Sequence, residues 1–206
     1  KSFYSQLFKT PKIYDITSSH FTMDYIEGHS FIQFLTYATK NDLDKLIKKL
    51  EGYFAENIEG KIIIDGEVFK RKIESIDKQY LSWFNDFPSE IEVYSGQCHG
   101  DLTFSNMIFS NDIYFIDFLD SYIESPTMDL IKLRQDTHLH WSLEMSEQKY
   151  DLNKVLVALL YLDNWIQDTY QFDYYNFLQK INLLRILPYA KTTHIKNFIS
   201  NKFHEL

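Results

Sequence analysis

The stretch that decides the fold is Cys98-His99-Gly100-Asp101-Leu102-Thr103-Phe104-Ser105-Asn106, followed by the apolar run Ile113-Tyr114-Phe115-Ile116 that ends in Asp117-Phe118. Asn106 leads into Met107-Ile108-Phe109 and then into the turn-forming Ser110-Asn111-Asp112. The pattern predicts two short apolar strands joined by a tight polar turn. Such a hairpin returns the chain and brings Asp117 close to Asn106, where a carboxylate and an amide carbonyl can share a magnesium ion. Asp101 falls in the loop before the first strand, where it can accept, or merely orient, the proton of an attacking hydroxyl. One base and two hard oxygen ligands are what phosphoryl transfer from Mg-ATP requires. The expected chemistry is therefore that of a phosphotransferase.

His99-x-Asp101-x-x-x-x-Asn106 with Ile116-Asp117-Phe118 resembles the catalytic loop and metal-binding segment of the aminoglycoside phosphotransferase and choline kinase group, within the wider protein-kinase-like superfamily. Upstream, Phe21-Thr22-Met23-Asp24-Tyr25-Ile26-Glu27-Gly28 is similar to the strand and hinge that join the two lobes in that group, where backbone groups bind adenine. Downstream, Ser125-Pro126-Thr127-Met128-Asp129-Leu130 resembles the segment whose Asp braces the catalytic loop by accepting backbone N–H bonds. The resemblance implies an α+β fold, predominantly α-helical: a protein-kinase-like C-terminal lobe with a small β-hairpin at the catalytic loop. It implies Asp101 as catalytic base, His99 and Asp129 as the scaffold of its loop, and Asn106 and Asp117 as metal ligands. Met23, Asp24, Tyr25 and Ile26 become the adenine-facing hinge. The cofactors that go with these roles are ATP and Mg2+.

Each of these residues also has an ordinary explanation. An Asp in a polar loop is usually a turn former, and it is the company of Asn106 and Asp117 that gives Asp101 a chemical reading. His99 reads as a buried, hydrogen-bonded histidine on either view. Asp129 suits a helix N-terminus, because Ser125-Pro126 just before it is a helix-start signal.

The small lobe of such kinases carries a Gly-rich loop, a strand Lys and a helix Glu. No GxGxxG occurs here, and the six glycines are scattered. Residues 1–7 read as the end of the helix that would carry the Glu, and Pro11-Lys12-Ile13-Tyr14 as a strand. The expectation is a remnant of small lobe and hinge over residues 1–28 and a large helical lobe over residues 29–206. The small lobe is then expected to be largely missing and the chain a fragment of a longer protein; a chain that really started here would lack the cation that neutralises the phosphates and turn ATP over very poorly.

With 206 residues, 45% hydrophobic and 17% aromatic, the chain has apolar area for one sizeable core. It has no uninterrupted apolar run of about 18 residues and no basic-then-apolar leader, so no membrane partner is expected. The single cysteine, Cys98, excludes an intrachain disulfide, suits a reducing cytoplasm and reads as a small packing residue. A net charge of -8 argues against nucleic acid as a partner. The basic runs Lys45-Leu46-Ile47-Lys48-Lys49 and Lys70-Arg71-Lys72 read as solvated helix faces.

Apolar residues at three- and four-residue spacing predict helices over residues 30–38 and 42–57. Lys61-Ile62-Ile63-Ile64, Asp65-Gly66 and Glu67-Val68-Phe69 predict a small hairpin, because Asp-Gly favours a tight turn. Further helices are expected over residues 74–84, 128–143, 152–165, 174–187 and 189–203. In kinases of the resembled group the late helices build much of the acceptor pocket. That makes Asp120, Glu124, Asp136, His138, His140, Trp141, Asp163 and Trp165 candidate pocket residues, although a Trp at helical spacing is ordinarily core and an isolated acid ordinarily solvated. His138-x-His140 does not read as a metal site, since on a helix this spacing turns the two rings to different faces. Two departures from the group stand out. Leu119 and Asp120 follow Asp117-Phe118 where protein kinases carry Gly, and residues 125–135 are more polar than the helix expected of antibiotic-inactivating members.

The leading expectation is an ATP- and Mg2+-dependent phosphotransferase acting on a small-molecule hydroxyl of a sugar, amino sugar or amino alcohol. It would be cytoplasmic, with association through the cleft edge that a missing small lobe would expose. An alternative is a catalytically inactive kinase-like binding or regulatory domain. A third reading is metal-dependent hydrolysis with water as the acceptor.

Overall fold

The hairpin of β1 (Ile13–Ile16) and β2 (Phe21–Met23) carries its apolar side chains outward in the computed structural model, which describes residues 9–206. Ile16 and Phe21 are 70% and 60% exposed. The helix end expected over residues 1–7 lies outside the described residues. After Gly28 come α1 (Phe31–Tyr37) and α2 (Lys40–Asn57), each opened by a capping box, Ser30 with Gln33 and Thr39 with Asp42.

The expected Asp-Gly hairpin does not form. Residues Ile58–Asp65 are one strand, β3, which pairs antiparallel with the distant β4 (Glu90–Gly96). Asp65 instead caps α3 (Gly66–Ile76), its carboxylate accepting from the Glu67 N–H at 2.8 Å. Asp serves a helix N-cap as well as a turn, and Phe69 and Ile73, four residues apart, are both buried. The helix expected over residues 74–84 is corrected too. Helix α3 stops at Ile76, and Asp77 caps a separate 3-10 turn, Lys78–Trp83.

The predicted hairpin at the catalytic motif is present as β5 (Met107–Phe109) and β6 (Ile113–Phe115), paired antiparallel. Then comes α4 (Pro126–Thr137), capped by the Ser125 hydroxyl, with Pro126 in the first turn, where a missing N–H is harmless. The expected continuation to residue 143 is broken, because His140 adopts a left-handed φ of 62° and the chain restarts as α5 (Trp141–Glu144). Three tail helices follow, α6 (Leu152–Thr169), α7 (Tyr175–Ile186) and α8 (Thr193–Glu205).

Helix α4 is the axis of the molecule, and every one of its residues is buried. On one side Leu130 and Leu133 join a core with Phe31, Leu46, Phe54, Phe104, Phe115 and Leu162. On the other, Ile131 joins Phe69, Ile91, Ile181 and Phe203. The polar residues of α4 are buried because each is paired. Arg134, for example, donates to Asp163 of α6 at 2.9 and 3.1 Å. The fold is α+β and mainly helical, with small antiparallel sheets, as expected of a kinase-like large lobe. Among the described residues no helix is long and apolar enough to cross a membrane.

Candidate active site

The loop of residues 98–106 lies along one face of α4, which holds it at three places. Asp129, fully buried, accepts from the His99 N–H at 2.7 Å and the Gly100 N–H at 3.0 Å. Lys132 Nζ stands 2.9 Å from Asp101 Oδ1. Asp136 accepts from the Phe104 N–H at 2.8 Å and from the Ser142 N–H and hydroxyl. These three residues are spaced i, i+3, i+7 and so share a helix face. Tyr53 of α2 adds its hydroxyl, which donates to Asp129 at 2.5 Å and accepts from the His99 N–H at 2.8 Å. Burial pushes the Asp129 carboxyl up to about 7, against the pull of the Tyr53, His99 and Gly100 donors.

Burial likewise pushes the Asp136 carboxyl up to about 6, against the Ser142 and Phe104 donors. The folded value lies above the ordinary one, so over that window the folded state keeps a proton that the unfolded chain has released. The contribution to stability is full below about pH 4 and is lost as pH rises through about 6. Asp136→Asn is expected to flatten this fall, read as the change in urea midpoint between pH 5 and pH 7. A slope identical to that of the unmodified chain contradicts the assignment.

His99 is buried and stacked on Phe118, with ring centroids 4.1 Å apart, and its Nδ1 accepts from the Asp101 N–H at 3.3 Å. Gly100 has a left-handed φ of 86°, and a Cβ there would stand 2.0 Å from the Leu119 carbonyl oxygen. Only glycine fits this approach, which lets the Leu119 N–H donate to the His99 carbonyl at 2.9 Å. The chain after Asp117 is thereby tied to the 98–106 loop.

Asp101 and Asn106 meet directly. The Asn106 amide donates to the Asp101 main-chain carbonyl at 2.8 Å and to its carboxylate at 3.0 Å, which turns the amide oxygen away from Asp101. Ile116, the residue before Asp117, donates its N–H to the Asn106 carbonyl at 3.0 Å, which places Asp117 one residue along the chain from that contact. Asp117 is exposed and left-handed, with φ 59°. A non-glycine residue in that region is uncommon and costs about 1 kcal/mol or more, a strain that clusters at functional sites. An amide oxygen and a carboxylate are a hard donor pair that fits Mg2+. Among the described residues no group of three or more His, Cys, Asp or Glu could hold a metal alone, so phosphate and water oxygens would complete such a site.

At the expected hinge, the Asp24 carboxylate accepts from the Tyr14 hydroxyl and from the Lys12 N–H, and these bonds hold it below the usual carboxylate range. Met23 ends β2, Tyr25 is 91% exposed and Ile26 is half-buried. Among the described residues, the main chain of residues 25–27 makes no backbone–backbone hydrogen bonds. Gly28 lets this segment close on β5, since a Cβ would stand 2.8 Å from the Phe109 carbonyl oxygen.

A cavity of about 900 Å³ opens at the other end of the hairpin, lined in part by Phe34, Lys45, Lys48, Lys49 and Asp112. Three-residue strands put it about 10 Å from Asn106, so it is not the site of the chemistry. Burial disfavours the Asp112 charge, but the Lys49 ammonium at 2.8 Å, the Ile113 N–H and Lys9 hold its carboxyl below the usual range.

Of the candidate pocket residues, Glu124 and Asp136 touch the 98–106 loop, Glu124 by accepting from the Cys98 N–H at 3.1 Å. Asp163 is fully engaged by Arg134, Thr137 and Gln167. Trp165 donates to Glu51 on α2, and Trp141 packs on Phe198. His138 meets the Tyr175 hydroxyl at 2.8 Å, His140 lies at the break after α4, and Asp120 is exposed. Sequence reasoning missed Lys132 and the hydroxyl of Tyr53. The i, i+3, i+7 spacing from Asp129 was the available signal for Lys132, whereas Tyr53 reads only as a member of an apolar helix face.

A helical lobe whose central helix grips an HxDxxxxN loop, with a hairpin returning an Asp beside the Asn, defines the protein-kinase-like class. The model of the ecdysteroid kinase-like family matches residues 7–134, more than half of the chain, and the chain belongs to that family. The family lies in the protein-kinase-like superfamily and is related to the choline kinase and aminoglycoside phosphotransferase group. No curated protein and no solved structure matches the chain.

Proposed function

We propose that this chain carries the acceptor-side and metal-side residues of an ATP- and Mg2+-dependent small-molecule kinase. Membership of a kinase-like family supports phosphotransferase chemistry. The observation that carries the reading for this chain is the junction of Asp101 and Asn106 at 3.0 Å, beside an Asp117 in a left-handed backbone. Asp101 orients the acceptor hydroxyl and takes up its proton as the new O–P bond forms and the bond to the β-phosphate oxygen breaks. Asn106 and Asp117 would hold the magnesium ion, which when bound offsets the charge of the phosphates. The hinge of Met23, Asp24, Tyr25 and Ile26 would face adenine with its main chain, and His99 and Asp129 keep the loop in register.

The acceptor is a hydroxyl of a sugar, amino sugar or amino alcohol, and the family name adds ecdysteroids to the series. The net charge of -8 supports a reading without a nucleic-acid partner, and the single cysteine, Cys98, is in keeping with a reducing cytoplasm. The exposed apolar face of β1 and β2 is the cleft edge at which further protein surface associates. The test is Mg2+-dependent ADP formation with each acceptor class, with the phosphate ester identified by mass spectrometry. ADP formation that no acceptor stimulates and that yields no ester contradicts the proposal.

A further inference from the structure

Nothing in the loop motif accounts for Lys132. Its side chain is only 10% exposed, with Nζ 2.9 Å from Asp101 Oδ1 and 3.4 Å from Gln135 Oε1. Gln135 is itself fixed, since its Oε1 also accepts from Asn182 Nδ2 of α7 at 2.9 Å. The second Asp101 oxygen, Oδ2, accepts from Asn106 Nδ2 at 3.0 Å. One carboxylate is thus gripped by two donors, one on α4 and one at the end of the 3-10 turn Phe104–Asn106 that leads into β5. It cannot rotate about its Cβ–Cγ bond without losing a charge-assisted bond, and each oxygen keeps a lone pair for a further donor. A lysine this buried is rarely tolerated unless paired, and burial does push its ammonium down while Asp101 pulls it back up.

We infer that Lys132 is a positioning residue for Asp101: its ammonium fixes one carboxylate oxygen so that the acceptor hydroxyl meets a carboxylate of set orientation. The functional half of this inference rests on the kinase reading above, while the ion pair itself does not. Orientation of this kind suits phosphoryl transfer, in which positioning carries most of the catalysis.

The test compares the unmodified chain with Lys132→Met, Lys132→Arg, Asp101→Asn and the Lys132→Met/Asp101→Asn double variant. Thermal unfolding reads the pair without any ligand. Asp101→Asn leaves the buried ammonium without its counter-charge and is expected to lower Tm by about 5 °C. Adding Lys132→Met to it should restore about half of that loss or more, because the stranded charge is gone. Strictly additive Tm shifts overturn the pair and the inference with it.

Release of phosphate from Mg-ATP, with water as the acceptor, reads the function. Lys132→Met is expected to lower kcat by about 10- to 100-fold while KM for ATP stays within about twofold. Lys132→Arg should recover part of the loss, and Lys132→Met should add nothing further to Asp101→Asn. An unchanged kcat in Lys132→Met, or an Arg variant no better than Met when both are folded, reduces the lysine to a structural role and overturns the inference. A different failure is coupled Tm shifts in a chain that, unmodified, releases no phosphate. That result removes the kinase reading, and the positioning role with it, and leaves a buried ion pair.

Discussion

Asp101→Asn is expected to bind Mg-ATP as the unmodified chain does and to transfer the phosphoryl group about 10²- to 10⁴-fold more slowly, the usual span for loss of a general base. The shape is conserved and the side-chain carbonyl can still accept from Lys132, so the loop stays docked on α4. What changes is the second oxygen, which becomes an amide that can neither accept the acceptor's proton nor accept from Asn106 Nδ2. Asn106 keeps its bond to the Asp101 main-chain carbonyl at 2.8 Å, so the metal-side residues remain in register. The measurement is kcat alongside the dissociation constant for Mg-ATP. A variant whose kcat stays within a factor of about two removes Asp101 from the chemistry.

Asp129→Ala is expected to have the largest effect on stability of any single substitution in the site, about 3–5 kcal/mol. The side chain is fully buried, and its removal strands the Tyr53 O–H and the Gly100 N–H as donors, while the His99 N–H keeps only the Tyr53 hydroxyl as acceptor. Each stranded donor costs about 1–3 kcal/mol in a dry interior. Asp129→Asn keeps an acceptor for one or two of them and should fall between. Urea unfolding gives the comparison, and an Ala variant within about 0.5 kcal/mol of the unmodified chain rules out the bracing role.

The β5–β6 hairpin was legible because its information is local. Six residues of strand and a polar turn are written consecutively between the candidate ligands Asn106 and Asp117, and the observed pairing of Met107 with Phe115 follows from that spacing. Helix α4 was harder to read. Its amphipathic period is absent because it is buried all round, so Lys132, Arg134, Gln135 and Asp136 look like solvated positions until their partners at Asp101, Asp163, Asn182 and Ser142 are known. The partners of Lys132, Arg134 and Gln135 lie 29 residues or more away, beyond any window of sequence, while Ser142, six residues from Asp136, comes within reach only because the chain breaks at His140. The Asp65-Gly66 reading failed for a related reason. A hairpin turn and a helix start share the same residues, and it was the distant β4 that decided between them.

The most direct test of the central claim is calorimetry of Mg-ATP binding to this chain, with Asp117→Ala as the partner measurement. Asp117 is exposed and accepts no internal ion pair on which the fold depends among the described residues, so its removal should leave Tm nearly unchanged. Magnesium-dependent binding that disappears in Asp117→Ala is the predicted result, since the carboxylate beside Asn106 is then what holds the metal. Equal binding by both chains, or binding indifferent to magnesium, would contradict the assignment of Asn106 and Asp117 as the metal site and with it the proposed kinase chemistry.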